Sequence, residues 1–443
     1  MPAFSLTFKT AFYSLLLCVF LAPIPYGSNR EWAEACLVLL SSSLSLWVIV
    51  GLLRGHIQLP EHFHKAAPFQ AVFFLLVGFQ SLQTSILPLA DSNHANTGLL
   101  LTFSYWMFFN LVLILCSHKQ HTQKLLWTVV LSGLFQAFYG SMMVLSGIEW
   151  LLTDVKTLGK GVATGTFVNR NHLAGYLELS LACGLGLLVA QLKDVSFANN
   201  KERLQHYLHT LLSSKIILRL ILCIMVIALV MTRSRMGNTA FFSSMLICAG
   251  LHLYLMQRFT KSAVILFASL LLIDTLIVSQ WFGLQELADR MNLTFGEVEL
   301  IEETAAGQAN STDVVKGSGG DSHYRLVTGD GRGQSWTQAK PMILDAGLLG
   351  MGYGNFYSQY PHYRDGSNRG YFDYAHNDYL QFLIEFGFLG AAMFFCLAAL
   401  ALNNAIRTQL NRRNAIAISA AFAVMMGITS IAIHSWTDFN LYI

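Results

Sequence analysis

Residues 215–256 read KIILRLILCIMVIALVM, then TRSR, then MGNTAFFSSMLICAGLHLYLM: two apolar runs around a polar stop from Thr232 to Arg235. The hydrocarbon core of a bilayer, about 30 Å thick, needs roughly 20 apolar residues wound as a helix. Each run is close to that length. The stop is so short that the second helix must fold back on the first as an antiparallel hairpin. In lipid every backbone polar group must find its partner inside the protein, and a helix does so within one segment. This stretch therefore predicts a helical membrane protein, and the rest of the chain repeats the pattern.

Outward from the hairpin, comparable runs occupy residues 8–25, 35–53, 67–88, 98–116, 124–146, 172–192, 261–281, 379–402 and 414–434. The expectation is an all-α, polytopic membrane protein of about eleven transmembrane helices with one large loop, residues 282–375. The chain divides into N-terminal helices (1–150), central helices with the arginine hairpin (151–281), the loop (282–375) and C-terminal helices (376–443). Composition agrees: 54% of the 443 residues are hydrophobic and 12% charged, whereas soluble domains carry about 25% charged residues. A net charge of +3 is too small to suggest nucleic acid. The first run resembles a signal peptide, but Ala22-Pro23-Ile24-Pro25 is a poor cleavage site, so a retained helix is expected.

Basic residues orient the chain. With the N-terminus cytoplasmic, 15 of the 28 Lys and Arg fall on the cytoplasmic side and seven in the loop, which is then outside. Six remain in the short outer connections: Arg30, Lys156, Lys160, Arg170, Arg233 and Arg235. Within the loop, residues 297–321 are acidic and rich in Gly, Ser and Thr, a composition expected to be mobile. Residues 324–374 are dense in Gly, Tyr and Arg, and Trp336 to Leu349 fits a short amphipathic helix.

Four polar islands fall at the outer face. The first is Gly165-Thr166-Phe167-Val168-Asn169-Arg170-Asn171-His172 before the sixth helix, whose N-terminus favours anions; a capped turn at the membrane surface reads equally well. The second is Thr232-Arg233-Ser234-Arg235. Two outer arginines suit a lipid pyrophosphate, since guanidinium binds phosphate bidentately, or else they snorkel to headgroups. The third is Gly331-Arg332-x-x-x-Trp336 followed by Gly350-Met351-Gly352-Tyr353-Gly354-Asn355-Phe356, with no P-loop or dinucleotide pattern. Tyr353 and its neighbours Tyr357, Tyr360, Tyr363, Tyr371 and Tyr374 can stack on sugar rings or anchor the loop at the interface. The fourth is Ala375-His376-Asn377-Asp378-Tyr379-Leu380-Gln381, then Glu385-Phe386-Gly387-Phe388-Leu389-Gly390. His376 is a plausible proton carrier near neutral pH, and a structural histidine is the alternative.

Metal and nucleophile chemistries find little support. His62 and His64 lack further ligands nearby, no H-E-x-x-H or G-x-S-x-G occurs, and the seven cysteines lie in apolar runs without C-x-x-C spacing. No cofactor or metal is expected. A transporter would need ionisable groups at mid-membrane; Glu178 and Asp274 are candidates, though both can line an outward cavity.

Together the islands resemble the O-antigen ligase and polymerase family of bacterial envelope glycosyltransferases. The resemblance rests on Gly-Thr-Phe-Val-Asn-x-Asn-His ending at His172, Thr-x-Ser-Arg ending at Arg235 and Gly-Arg-x-x-x-Trp ending at Trp336. It rests further on His376-Asn377-x-x-Leu380 with Gly387 and Gly390, and on His434-Ser435-x-x-Asp438-Phe439. It implies a class C-like inner-membrane glycosyltransferase facing the periplasm, working without a metal, with an undecaprenyl-diphosphate-linked glycan as donor. The acceptor would be lipid A-core, a growing glycan or, in a third branch, protein. Carried over, Arg235 and Arg332 would bind the donor diphosphate and His376 would meet the acceptor hydroxyl. Arg233, Arg170, Asn169, His172, Asn377, Trp336 and Tyr353 are the accompanying substrate-binding candidates. Two departures stand out: Arg170 occupies a position where the family often has proline, and the chain stops at Ile443, where relatives commonly continue into a further helix.

Overall fold

A computed structural model describes residues 5–156, 159–190, 214–256, 332–364 and 372–442. Among these residues the protein is an all-α multi-pass membrane protein. Its twelve α-helices are α1 (Leu6–Leu21), α2 (Glu31–Leu53), α3 (Ala67–Ile86), α4 (Ser92–Leu115), α5 (Lys119–Ser146), α6 (Arg170–Val189), α7 (Ser214–Met231), α8 (Arg235–Met256), α9 (Arg332–Ala346), α10 (Phe356–Gln359), α11 (Asp378–Asn411) and α12 (Ala415–His434). Eight helical stretches are long and apolar enough to span a membrane, and α1 and α7 are shorter apolar helices. Ten of the eleven expected spans are thus matched by helices. The ninth, 261–281, lies outside the described residues, as do Asp274 and the acidic segment 297–321. A two-stranded hairpin, Trp150–Leu151 with Asp154–Val155, is the only sheet among the described residues.

Burial identifies the central helix. In α6, 83% of the apolar window is inside the protein, against 22% for α2. One core gathers α5, α6, α7, α8 and α12 with the end of α11, and a second joins α1, α2 and α4. Two glycines lie in the seam between α6 and α12: Gly186 lies against the Ser419 backbone, and Gly427 faces Leu179 and Ala182.

One helix is broken, and the break shapes the site. Gly387 inside α11 has φ 63° and ψ −175°, backbone that glycine alone adopts without strain. A kink frees backbone groups, which in a membrane must be re-satisfied by protein. Residues 347–352 take them up: Met351 and Gly352 donate to the Ile384 and Glu385 carbonyls at 2.8 and 2.9 Å, and Phe388 and Leu389 donate to those of Gly347 and Leu348 at 3.1 and 3.2 Å. Gln83 of α3 closes the arrangement, its Nε2 donating to the carbonyls of Leu349 (2.6 Å) and Glu385 (2.8 Å). Gly350 and Gly352, both at positive φ, let this segment lie as a splint along the broken helix.

Candidate active site at one end of the bundle

The first island is fastened before it is functional. Gln136 of α5 accepts from the Thr166 N–H and donates to Thr166 Oγ1, both at 2.9 Å, and that hydroxyl donates to the Pro23 carbonyl at 2.8 Å. Asn169 then caps α6, its side chain accepting the Asn171 N–H at 2.9 Å, while its amide nitrogen lies 3.5 Å from His172 Nε2. Arg170 opens the helix at the surface; His172 is buried.

The arginine hairpin alternates by burial. Thr232 and Ser234 are buried, whereas Arg233 and Arg235 are exposed. Thr232 Oγ1 accepts the Ser234 N–H at 3.1 Å, and Ser234 Oγ accepts that of Gly237 at 3.2 Å. The inward hydroxyls close the turn, which leaves both guanidiniums pointing out. The hairpin is joined to the first island: Ala163 N–H donates to the Met231 carbonyl at 2.9 Å, and Gly237 packs on Ala174, two residues beyond His172. Of the other outer basic residues, Lys156 is buried and bonds Glu149 at 2.9 Å and the Val162 carbonyl at 2.7 Å. Burial alone would raise the Glu149 carboxyl; the Gly161 N–H and Lys156 together hold it below the usual carboxylate range.

The third and fourth islands meet at His376. Trp336 of α9 donates its indole N–H to the Ala375 carbonyl at 2.9 Å, and Gln381 accepts the Ala375 N–H at 2.7 Å. Asn377 caps α11, its Oδ1 accepting the Leu380 N–H at 3.1 Å while its Nδ2 donates to the Trp436 carbonyl at 2.9 Å. His376 itself sits at φ 50°. A non-glycine residue in this region costs roughly 1–3 kcal/mol and persists where its surroundings over-determine it. Among the described residues five non-glycines do this, and two of them are His376 and Arg233.

The His376 imidazole is partly exposed (25%), and its Nδ1 lies 3.7 Å from Oδ1 of Asp438, which is 1% exposed. That is too long for a hydrogen bond and within ion-pair reach once the ring takes a proton. Phe439 packs its ring 4.9 Å from His376 and 4.7 Å from His172, edge to face in both cases. Through this one ring the first and fourth islands become a single surface, at the end of the bundle that carries Arg170, Arg233 and Arg235. Residues 220–395 match the family model described as O-antigen ligase. That stretch is similar to O-antigen ligases.

The matched stretch is 176 of the 443 residues, and it supports a likeness to the O-antigen ligase family. The matched range includes the arginine hairpin, Trp336 and His376. The first island and the His434–Phe439 segment lie outside the matched range and are joined to it by the contacts above. No curated protein matches the chain.

Several sequence candidates in the matched range prove to be holding the site. Trp336 and Asn377 spend their polar atoms on backbone around His376. Tyr353 packs over Gly98 and stacks on Tyr442 at 5.4 Å, and burial pushes its hydroxyl well above the ordinary tyrosine range. Tyr374 stacks on Phe439 at 4.3 Å and Tyr360 on Phe356 at 5.0 Å. Tyr363 donates to Asp345 at 2.6 Å, which with burial raises it to about 12. Tyr357 is exposed. Tyr371 and the side chain of Arg332 lie outside the described residues; Arg332 itself begins α9.

Glu385 binds the parts together, accepting from Gln381 at 2.7 Å, from the Phe356 N–H at 3.3 Å and from Tyr442 at 2.8 Å. Asp438 and Phe439 stood in a quoted motif without any assigned role. Their partner His376 lies ahead of α11, about 60 residues away in sequence, and spacing along the chain gives no hint of it.

Proposed function

We propose that the protein transfers a glycan from an undecaprenyl-diphosphate carrier to an acceptor hydroxyl at the periplasmic face of the bacterial inner membrane. The observation that carries this reading is the pairing of His376 with Asp438 on the same bundle end as two outward arginines, inside or against the stretch similar to O-antigen ligases.

Asp438 faces Nδ1 of His376, so a proton is favoured on that nitrogen and Nε2 is left as the base; the partner of one ring nitrogen sets the state of the other. The acceptor hydroxyl attacks the anomeric carbon of the bound donor and gives its proton to Nε2. As the new C–O bond forms, the bond from that carbon to the phosphate oxygen breaks, and its electron pair leaves with the undecaprenyl diphosphate. Attack opposite the leaving group inverts the anomeric centre. The imidazolium formed is stabilised by Asp438. Arg233 and Arg235, with Arg170 and Arg332, neutralise the diphosphate; fixed cations aimed where charge develops act without reorganisation. A divalent cation is not needed for that step when guanidiniums serve it. The acceptor is lipid A-core or a growing glycan.

His376→Ala and Arg235→Ala are each expected to abolish transfer while inserting at wild-type abundance, a loss of about 10²–10⁴-fold for the base. Glycan transfer at the wild-type rate by either variant, at equal membrane level, refutes the assigned role. In a deletion strain, polymer accumulated on lipid indicates a ligase and accumulated single repeats a polymerase.

A further inference from the structure

A second cluster of titratable groups lies deeper in the bundle, and the proposed chemistry does not use it. Glu178 of α6 and His434, the last residue of α12, are both fully buried, with His434 Nδ1 at 2.7 Å from Glu178 Oε1. Ser430, one turn earlier on α12, donates to Glu178 Oε2 at 2.6 Å. Both carboxylate oxygens are therefore taken, while His434 Nε2 is buried without a hydrogen-bond partner.

Such a pair is a poor way to gain stability. Removing two charges from water costs several kcal/mol per ion, and apolar replacements are often neutral or better. What it supplies here is register. Glycines bring α6 and α12 close together, Gly186 against the Ser419 backbone and Gly427 against the Leu179 and Ala182 side chains, apolar contacts that carry no direction of their own. The pair with Ser430 fixes sliding and rotation at the end nearest the site.

Everything that reaches His376 from the C-terminal side follows within five residues of His434. Ser435 donates to Asp378 Oδ2 at 2.6 Å, and its carbonyl accepts the Asp378 N–H at 3.0 Å. The Trp436 carbonyl receives Asn377, Asp438 faces His376, and Phe439 wedges between His172 and His376. A shift of α12 by a fraction of a turn would displace all four contacts together.

We propose that Glu178 and His434 form a positioning pair for the transfer reaction: they lock the register of α12 on α6 and so hold Asp438 opposite His376. This rests on the reading of His376 given above. Glutamine at 178 keeps an acceptor oxygen for Ser430 and offers an N–H donor to His434 Nδ1 without the charge, whereas alanine removes the lock. The full chain, reconstituted in vesicles, is assayed with undecaprenyl-diphosphate glycan as donor, and amide hydrogen exchange is followed over residues 435–442.

Glu178→Ala is expected to lower kcat about tenfold or more with the donor KM nearly unchanged, because a small misplacement of the reacting groups is costly, and to speed exchange across 435–442. Glu178→Gln is expected to restore both. The proposal is overturned if Glu178→Ala reacts and exchanges like wild type, or if Glu178→Gln fails as completely as alanine, since charge and not register would then matter. If exchange separates alanine from glutamine while His376→Ala still transfers glycan, the lock stands and the assignment of His376 falls.

Discussion

His376 combines three properties that rarely meet by accident: left-handed backbone, partial exposure and a buried carboxylate at 3.7 Å. The backbone strain is held by neighbours whose polar atoms are already committed, namely Trp336 and Gln381 on Ala375 and Asn377 on Trp436. A histidine serving only as packing would not need an imposed direction. Asp438 is the test of that direction. Asp438→Asn keeps the shape and removes the charge that favours a proton on Nδ1 and stabilises the imidazolium. Turnover is expected to fall about tenfold or more, since a general base contributes about 10²–10⁴-fold and this change disturbs the base without removing it, while the donor KM changes little. Steady-state kinetics on the purified variant decide it: unchanged kcat would remove Asp438 from the mechanism. The sequence named His376 because a histidine after a polar loop at a helix start is conspicuous. It left Asp438 without a role because nothing local links that carboxylate to the imidazole.

At the scale of elements, the apolar runs located the helices well and their ends poorly, for a physical reason. Hydropathy marks the thickness of lipid, whereas a helix ends where its backbone is capped. The run expected over 379–402 is a helix from Asp378 to Asn411, because Asn403, Asn404, Arg407 and Gln409 continue it beyond the apolar stretch. Likewise α4 begins at Ser92 behind the Asp91 cap, a turn and a half before the run at 98. The loop helix expected over 336–349 is present and starts earlier, at Arg332. The break at Gly387 escaped because its partner, the 347–352 splint, comes from a separate stretch of chain. That break also gives a sharp prediction. A Cβ at 387 would lie 2.5 Å from both the Gly350 nitrogen and the Leu348 oxygen, and left-handed φ alone costs an alanine roughly 1–2 kcal/mol. Gly387→Ala is therefore expected to lower the melting temperature in detergent and to reduce transfer, because the splint leads into Phe356, whose N–H donates to Glu385 at 3.3 Å beneath the His376 turn. Unaltered melting would show that the splint yields freely.

For the whole molecule, the decisive feature is that stretches far apart in sequence share one end of the bundle. The 159–172 segment touches the hairpin through Ala163 and Met231, and it touches the C-terminal segment through His172 and Phe439; that segment in turn holds His376. Alternation of helices along the chain implied this, and the contacts give it physical form. The same alternation puts the turn between α11 and α12, with Arg412 and Arg413, at the opposite end. Arg235→Cys and Tyr357→Cys, made in a background without the seven native cysteines, are therefore expected to react with a charged maleimide applied to the periplasmic side of intact cells. Arg413→Cys should react only after the membrane is opened. Labelling of 235 and 357 from different sides would separate the guanidiniums from the imidazole, and no single pocket could then bind a diphosphate and activate a hydroxyl beside it. Labelling of all three from one side would instead break the helix count that places the loop outside. Joint labelling of 235 and 357, with 413 protected, is the one pattern that leaves an acceptor and a carrier lipid free to meet at His376.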